Sequence, residues 1–244
     1  MSVLSDKTIR KLCKKPLGVS KETGDFIYRE DFDKGDWENY EDEEIREIFL
    51  ENHLMHPLVE GMWSPMIEPF CDQLVRENDD GEKIISYGLS SYGYDVRLSP
   101  EQIKIFTNAN GTLVDPMDLD EECLVNAKIR DRDTHPHFIL PPNSYALGST
   151  MERVNIPKNV SVICVGKSTL ARAGAIVNVT PIEAGFRGSV VIEISNGSTL
   201  PIKVYLGVGI AQFQFLYGDQ VCESSYDDGE RKYQGQSGIT LSKV

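Results

Sequence analysis

The chain has 244 residues, 40% of them hydrophobic and 9% aromatic, with 25 Lys and Arg against 38 Asp and Glu for a net charge of −13. That length supports a sizeable core without metal or disulfide staples, and the composition excludes collagen-like, low-complexity and disulfide-rich classes. So negative a surface repels a phosphate backbone, which argues against a nucleic-acid partner while leaving room for a small basic pocket that holds an anionic metabolite.

No apolar run approaches 18 residues, so no membrane span is expected. The opening Met-Ser-Val-Leu-Ser-Asp-Lys lacks the pattern of a secretory leader, which makes the cytoplasm the expected location. Cys13, Cys71, Cys123, Cys164 and Cys222 are widely spaced, odd in number and form no CxxC, as expected for reduced structural thiols.

Residues 5–15 predict a helix, with Ser5 as cap, Ile9 and Leu12 as one apolar stripe, lysines toward the end, and Pro16 and Gly18 as the stop. From 17 to 61 carboxylates crowd the chain (Glu30, Asp31, Asp33, Asp36, Glu38) among Phe26, Tyr28, Phe32, Trp37 and Tyr40. Ile45, Ile48 and Phe49 predict a helix over 43–52. This stretch reads as a solvated acidic insertion within a single domain spanning 1–244, with a partner-binding or regulatory element as the sharper alternative.

From Lys83 onward the pattern is that of an all-β protein. Short apolar runs recur at 138–140, 144–151, 160–165, 175–179, 190–194, 202–205 and 210–216, punctuated by Pro141-Pro142-Asn143, Pro157-Lys158-Asn159, Gly185 and Asn196-Gly197. Lys167 to Ala173 is helix-prone and followed by Gly174. The expected fold is therefore mainly β, a barrel or jelly roll with one short internal helix and N-terminal helices. The polar, glycine-rich tail over 227–244 reads either as disordered or as a lid. In the second case Lys232, Tyr233 and Gln236 supply charge, ring and amide, and Gly235 and Gly238 let the backbone bend.

Gly166-Lys167-Ser168-Thr169 invites a nucleotide-binding P-loop assignment, but GxxxxGKS needs glycine at position 161, where this chain has Ser161 in a strand-like run. What remains is a Lys-Ser-Thr run suited either to an anion or to plain helix capping. His135-Pro136-His137 provides no third metal ligand, the H-x-E and P-C-x-x-C signature of zinc deaminases is absent, and His53 and His56 fall in the acidic insertion. Glu193 lies on the strand face opposite Val190, Ile192 and Ile194. Ser168 and Arg172, four apart on the short helix, share a face that can converge on such a carboxylate, a usable general-base set and also a common kind of salt bridge.

Longer ordered stretches carry a resemblance. Ser86-Tyr-Gly-Leu-Ser-Ser-Tyr-Gly-Tyr-Asp-Val-Arg97, Ile105-Phe-Thr-Asn, Val114-Asp-Pro, Pro141-Pro-Asn-Ser-Tyr-Ala-Leu, Gly166-Lys-Ser-Thr-Leu-Ala-Arg172, Asn178-Val-Thr-Pro181, Val191-Ile-Glu-Ile-Ser-Asn196, Val221-Cys-Glu-Ser-Ser-Tyr226 and Lys232-Tyr-Gln-Gly-Gln-Ser-Gly238 resemble the dCTP deaminase family, zinc-independent trimeric relatives of dUTPase. The likeness covers most of the chain but not the acidic insertion.

The resemblance implies a dUTPase-like distorted β-barrel, a homotrimer with active sites shared between subunits, and dCTP bound with Mg²⁺ on its triphosphate and no zinc. By motif, Glu193 is the catalytic base, with Ser168, Arg172 and a carbonyl near Pro181 holding the water. Lys167 and Thr169, joined by Tyr226, Lys232 and Gln236 of the tail, hold the triphosphate, and Phe186 stands beside the deoxyribose. The expected reaction is deamination of dCTP to dUTP and ammonia, with dTTP as a possible inhibitor. Alternatives are a bifunctional enzyme giving dUMP and pyrophosphate, and a catalytically weak nucleotide sensor. Glu183 stands where the dUTPase-like motif usually carries an Asp, which argues against direct triphosphate hydrolysis.

Overall fold

The computed structural model describes residues 2–14, 18–20, 26–27, 54–57, 64–109, 113–131, 135–177 and 180–243, with 18–20, 26–27 and 54–57 as backbone only. After a first short strand, β1 (Ser2–Val3), helix α1 occupies Asp6–Cys13 and turns Ile9 and Cys13 into the core. Ser5 holds the N-cap position, but its hydroxyl meets Thr8 Oγ1 at 3.4 Å instead of a backbone N–H, so the expected side-chain cap is not made. Most of the acidic segment, including the helix expected over 43–52, lies outside the described residues. Three strands within it, β2 (Gly18–Ser20), β3 (Phe26–Ile27) and β4 (Leu54–Pro57), form a small sheet in the order β3-β2-β4.

The body comprises β5 (Ile67–Glu68), β6 (Leu74–Glu77), β7 (Lys83–Ser90), β8 (Gly93–Arg97), β9 (Lys104–Phe106), β10 (Leu124–Asn126), β11 (His137–Leu140), β12 (Tyr145–Asn155), β13 (Val160–Gly166), the short helix α2 (Ser168–Arg172), β14 (Ala175–Val177), β15 (Pro181–Ile182), β16 (Arg187–Asn196), β17 (Ile202–Tyr205) and β18 (Gly209–Tyr217). A seven-stranded sheet runs β15-β13-β18-β8-β7-β6 with β1 on β18, and a six-stranded sheet runs β10-β9-β12-β16-β14 with β5 on β12. β11 and β17 pair separately. The runs expected from the sequence at 138–216 all coincide with strands, and α2 falls inside 167–173. The pairings are antiparallel, so the fold is mainly β as expected.

Period-two alternation places the core. Val160, Val162 and Cys164 of β13, Phe213 and Phe215 of β18, and Val190, Ile192 and Ile194 of β16 point inward, and both sheets feed one hydrophobic cluster with Tyr94 and Phe138. No helix among the described residues is long and apolar enough to cross a membrane.

The two sheets are joined at an irregularity in β12. Its register against β16 runs Leu147↔Glu193 and Ser149↔Val191, then resumes at Arg153↔Ser189, so β12 carries extra residues here. Thr150 repairs the ladder: its Oγ1 accepts the Val190 N–H at 2.9 Å and donates to the Glu152 carbonyl at 2.6 Å. Glu152, thereby turned inward, receives Arg97 Nε at 2.7 Å and the Arg97 backbone N–H at 2.9 Å from the end of β8 in the other sheet. Burial pushes the Glu152 carboxyl above its ordinary range, and the hydrogen bonds from Arg97 oppose that shift.

The Glu152 side chain is 0% exposed and that of Arg97 15%, so removing one partner strands a buried charge. Glu152→Ala is expected to lower the unfolding free energy by about 3–5 kcal/mol, read by urea denaturation at fixed protein concentration. The apolar pair Arg97→Met with Glu152→Leu should recover most of that loss; a single variant as stable as the parent would contradict the joint.

Candidate active site

β16 carries Val191 and Glu193 on the face opposite its buried Val190, Ile192 and Ile194, as the alternation predicts, and this face borders a pocket of about 570 Å³. Leu147 lies in register beside Glu193 on β12, and Tyr145, two residues earlier, meets Phe106 edge-on at 5.5 Å. Thr180, Pro181 and Glu183 close the β15 side. Burial pushes the Glu193 carboxyl above its ordinary range, which turns it into a stronger base than a surface glutamate. Cys164 is pushed up to about 12, first by its own burial and then by the charge of Glu193.

The rest of the wall comes from the chain's end. Gly185, at φ +83°, turns the 183–186 loop so tightly against the tail that a Cβ there would lie 2.9 Å from the Asp227 backbone nitrogen. That brings Phe186 edge-on to Tyr226 at 5.6 Å, and the Tyr226 hydroxyl accepts the Tyr233 N–H at 3.1 Å. The tail then runs along the start of β16. Gly235 N–H donates to the Arg187 carbonyl at 2.8 Å, Ser189 N–H to the Gln236 carbonyl at 3.0 Å, and Gln236 Nε2 to the Ser189 carbonyl at 2.7 Å.

Gly188 at φ +142° permits this approach, because a Cβ would sit 2.7 Å from the Gln236 carbonyl oxygen. Beyond it Ser242 Oγ donates to the Pro116 carbonyl at 2.6 Å, tying the tail to the loop that contributes Val114, Pro116 and Leu119 to the pocket. Of two readings of this segment, the disordered one does not describe it.

Glu193, Pro181, Phe186, Tyr226 and Gln236 are thus assembled in one pocket, whose lining holds two carboxylates, Glu183 and Glu193, and no Lys or Arg. Gln236 Oε1 is the one buried side-chain polar atom without a hydrogen-bond partner among the described residues. Lys232 is exposed and outside that lining.

Ser168, Thr169 and Arg172 stand exposed on α2 and do not line the pocket, and within one chain no ion pair joins Arg172 to Glu193. Lys167 is committed elsewhere: its ammonium is bonded to the Asp95 carboxylate and to Ser86 Oγ, with its side chain 12% exposed. Phe106, Tyr145, Leu147 and Thr180 are pocket residues to which the sequence alone attaches no role, while Tyr233 brings to the pocket the ring expected of a lid. All of them stand in stretches quoted for the resemblance, yet only the strand register brings Tyr145 and Leu147 beside the Glu193 strand.

A concave, ring-lined cavity with one raised carboxylate and one unpartnered buried amide oxygen has the makings of a small-molecule site with acid–base capacity. The model of the dCTP deaminase-like family matches residues 66–217. A dCTP deaminase of Acinetobacter baylyi is 51% identical over 180 residues, 73% of this chain and 91% of that protein. One of Helicobacter hepaticus is 53% identical over 179 residues, 73% and 90% of the two chains. One of Rickettsia bellii is 56% identical over 176 residues, 72% and 89%.

Among solved structures, the 2'-deoxycytidine 5'-triphosphate deaminase of Agrobacterium tumefaciens aligns over 53% of this chain and 39% of its own, with a TM-score of 0.40 at 19% identity. The EIAV dUTPase aligns over 43% and 92%, with a TM-score of 0.32 at 22% identity. On the sequence matches, the chain belongs to the dCTP deaminase-like family.

The raised pKa of Glu193 is also a statement about stability. A carboxyl that ionises less readily in the folded state favours folding while protonated and weakens it as pH rises through the folded pKa. Glu193→Gln, which keeps the shape of the protonated form, should therefore unfold at a higher temperature than the parent at pH 7. The gap should close as pH falls below about 4.3, the ordinary glutamate value. Equal melting temperatures at both pH values would contradict the burial argument.

Proposed function

We propose that the chain deaminates dCTP hydrolytically to dUTP and ammonia, taking the nucleotide as its magnesium complex, and that it does so as a homotrimer in the cytoplasm with each site shared between subunits. The observation that carries this is Glu193: a carboxylate whose pKa is raised by burial, set in a ring-lined pocket of about 570 Å³. The relatives that are half identical over most of the chain bear the name of the reaction.

In this reading Glu193 takes a proton from a water whose oxygen bonds to C4 of the cytosine. The proton passes to the ring nitrogen, and a second transfer protonates the exocyclic amine, so the C4–N bond breaks and ammonia leaves. Burial keeps Glu193 basic enough to accept the first proton. The Thr180 carbonyl, whose one recorded partner is the Cys164 N–H at 3.2 Å, keeps a lone pair that can orient that water. Phe186 and Tyr226 flank the sugar side. Gln236 Oε1, buried and unpartnered, supplies an acceptor for a donor on the nucleotide.

The charge pattern supports a shared site. The pocket lining holds no Lys or Arg and two carboxylates, whereas Ser168, Thr169 and Arg172 are exposed on α2, outside that lining. Placed against the pocket of a neighbouring subunit, they deliver the hydroxyls and the guanidinium that the base and the phosphates need. The described residues contain no cluster of three or more His, Cys, Asp or Glu side chains fitted to a metal ion, and the magnesium of this reading travels on the triphosphate. dTTP, with the same tail and a similar ring, would compete for the same pocket.

Incubation with dCTP and Mg²⁺ should release ammonia and dUTP in equal amounts. Glu193→Gln should lower turnover by about 10²–10⁴-fold with binding retained, and the acid limb of kcat/KM should lie above the ordinary glutamate range. Ammonia with dUMP and pyrophosphate would instead assign phosphate chemistry to Glu183, which lines the same pocket. Co-expression of Glu193→Gln with Arg172→Ala subunits should recover activity that neither shows alone; no recovery in mixed trimers would rule out the shared site.

A further inference from the structure

We propose that Gln234, a tail residue outside the pocket lining, is a positioning residue that sets the preference for deoxyribose over ribose by fixing the Phe186 ring; this rests on the deaminase reading above. Phe186 is 6% exposed and reaches the pocket from the loop between β15 and β16. One side-chain amide holds both of the backbone groups that flank it. Gln234 Oε1 accepts the Arg187 N–H at 2.9 Å, and Gln234 Nε2 donates to the Gly185 carbonyl at 3.0 Å. The other main-chain groups of this turn are bound within the body: Gly185 N–H donates to the Ile156 carbonyl at 3.0 Å, Phe186 N–H to the Glu183 carbonyl at 3.1 Å, and the Phe186 carbonyl accepts the Ile156 N–H at 2.9 Å. Gln234 therefore completes the frame on which the ring is mounted.

Neither a carboxylate nor an alkyl chain could do this, because one atom must accept while its neighbour donates. The orientation is fixed too. A flipped amide would set its oxygen against the Gly185 carbonyl and against Asp227 Oδ1, which lies 3.4 Å from Nε2. Gln234 is not what fastens the tail, since the bonds from Gly235, Ser189, Gln236 and Ser242 do that on either side of β16 and at Pro116. What it adds is a fixed position for Phe186 against Tyr226, the two rings that flank the sugar. A 2'-hydroxyl pressed on the Phe186 ring would lose its water and gain no acceptor there, whereas a 2'-methylene loses nothing. An apolar wall of this kind rejects an added hydroxyl by about 10²-fold, and only while the ring is unable to recede.

The experiment is steady-state ammonia release from dCTP and from CTP by the full chain and by Gln234→Ala, Gln234→Met and Phe186→Leu. The parent should prefer dCTP by about 10²-fold in kcat/KM, and Gln234→Ala should cut that preference to about tenfold or less, chiefly through KM. Gln234→Met, which fills the same space without the amide, should do the same. The acid limb of kcat/KM should stay at its parent position, because the tail still buries Glu193; a limb displaced toward the ordinary glutamate range would show the tail detached and overturn the positioning role. Gln234→Ala added to Phe186→Leu should lower the preference no further, as for two residues that act as a unit. A parent that deaminates dCTP and CTP alike, or a Gln234→Ala variant with the parent preference, overturns the proposal and leaves the deaminase reading standing.

If the parent releases no ammonia, the deaminase reading fails, and calorimetric titration with magnesium dCTP and magnesium CTP decides the clamp alone. Tighter binding of dCTP by the parent that Gln234→Ala loses supports it. Equal binding of the two nucleotides, the same preference in both proteins, or no binding by either overturns it.

Discussion

The buried pair between Arg97 and Glu152 is the joint on which the two sheets hang. β8 delivers Arg97 from the seven-stranded sheet, and β12 delivers Glu152 from the six-stranded one. Glu152 can reach inward only because β12 departs from its register between Ser149 and Arg153, and that departure is stable only because Thr150 takes over the bond to Val190. The next register pair beyond is Ser149 with Val191, followed two residues on by Leu147 with Glu193. A slip of one residue would send Glu193 to the core face and Ile192 or Ile194 into the pocket. The ion pair, a weak stabiliser in net terms because of its desolvation, therefore acts as a register lock that fixes where the Glu193 carboxylate points.

The surface built on that lock is divided by charge. One face offers carboxylates, rings and a buried amide oxygen; the other offers Arg76, Lys83 and the hydroxyls of Ser86, Thr169 and Tyr205. A single chain does not bring α2 into the first, whose only charged lining residues are Glu183 and Glu193. A cation set beside Glu193 would pair with it and pull its pKa down, so a lining without Lys or Arg leaves burial as the dominant influence on that carboxyl.

Much of this was legible from residue order, and the failures have physical reasons. The strands over 138–216 announce themselves because one face of each is buried, so Val, Ile and Phe alternate with polar residues. β7 and β8 escaped individual notice because Ser86-Tyr-Gly-Leu-Ser-Ser-Tyr-Gly-Tyr relies on tyrosines and glycines, whose packing depends on neighbours far along the chain. Glu193 was found by alternation, and Phe186, Tyr226 and Gln236 by resemblance. Tyr145 and Leu147 were not, because a register between strands almost fifty residues apart leaves no local trace. The motif offers Lys167 as a phosphate ligand. Its bond to Asp95, 72 positions away, is a tertiary fact that no motif carries.

The tail unites the remaining pieces. Glu193 owes its raised pKa first to burial, and Tyr233, Gln236, Thr240 and Ser242 are among the walls that exclude water from its pocket. Those walls stand because Gly188 lets the Gln236 carbonyl approach the backbone of β16 and because Ser242 fastens the far end to Pro116. Basicity at Glu193 is thus a property of the closed chain more than of the strand that bears it. With the tail away, water would solvate the carboxylate and restore ordinary acidity, so its basicity depends on the packed tail. The glycine at 188 is the residue that permits this packing, and through it the burial of the carboxylate.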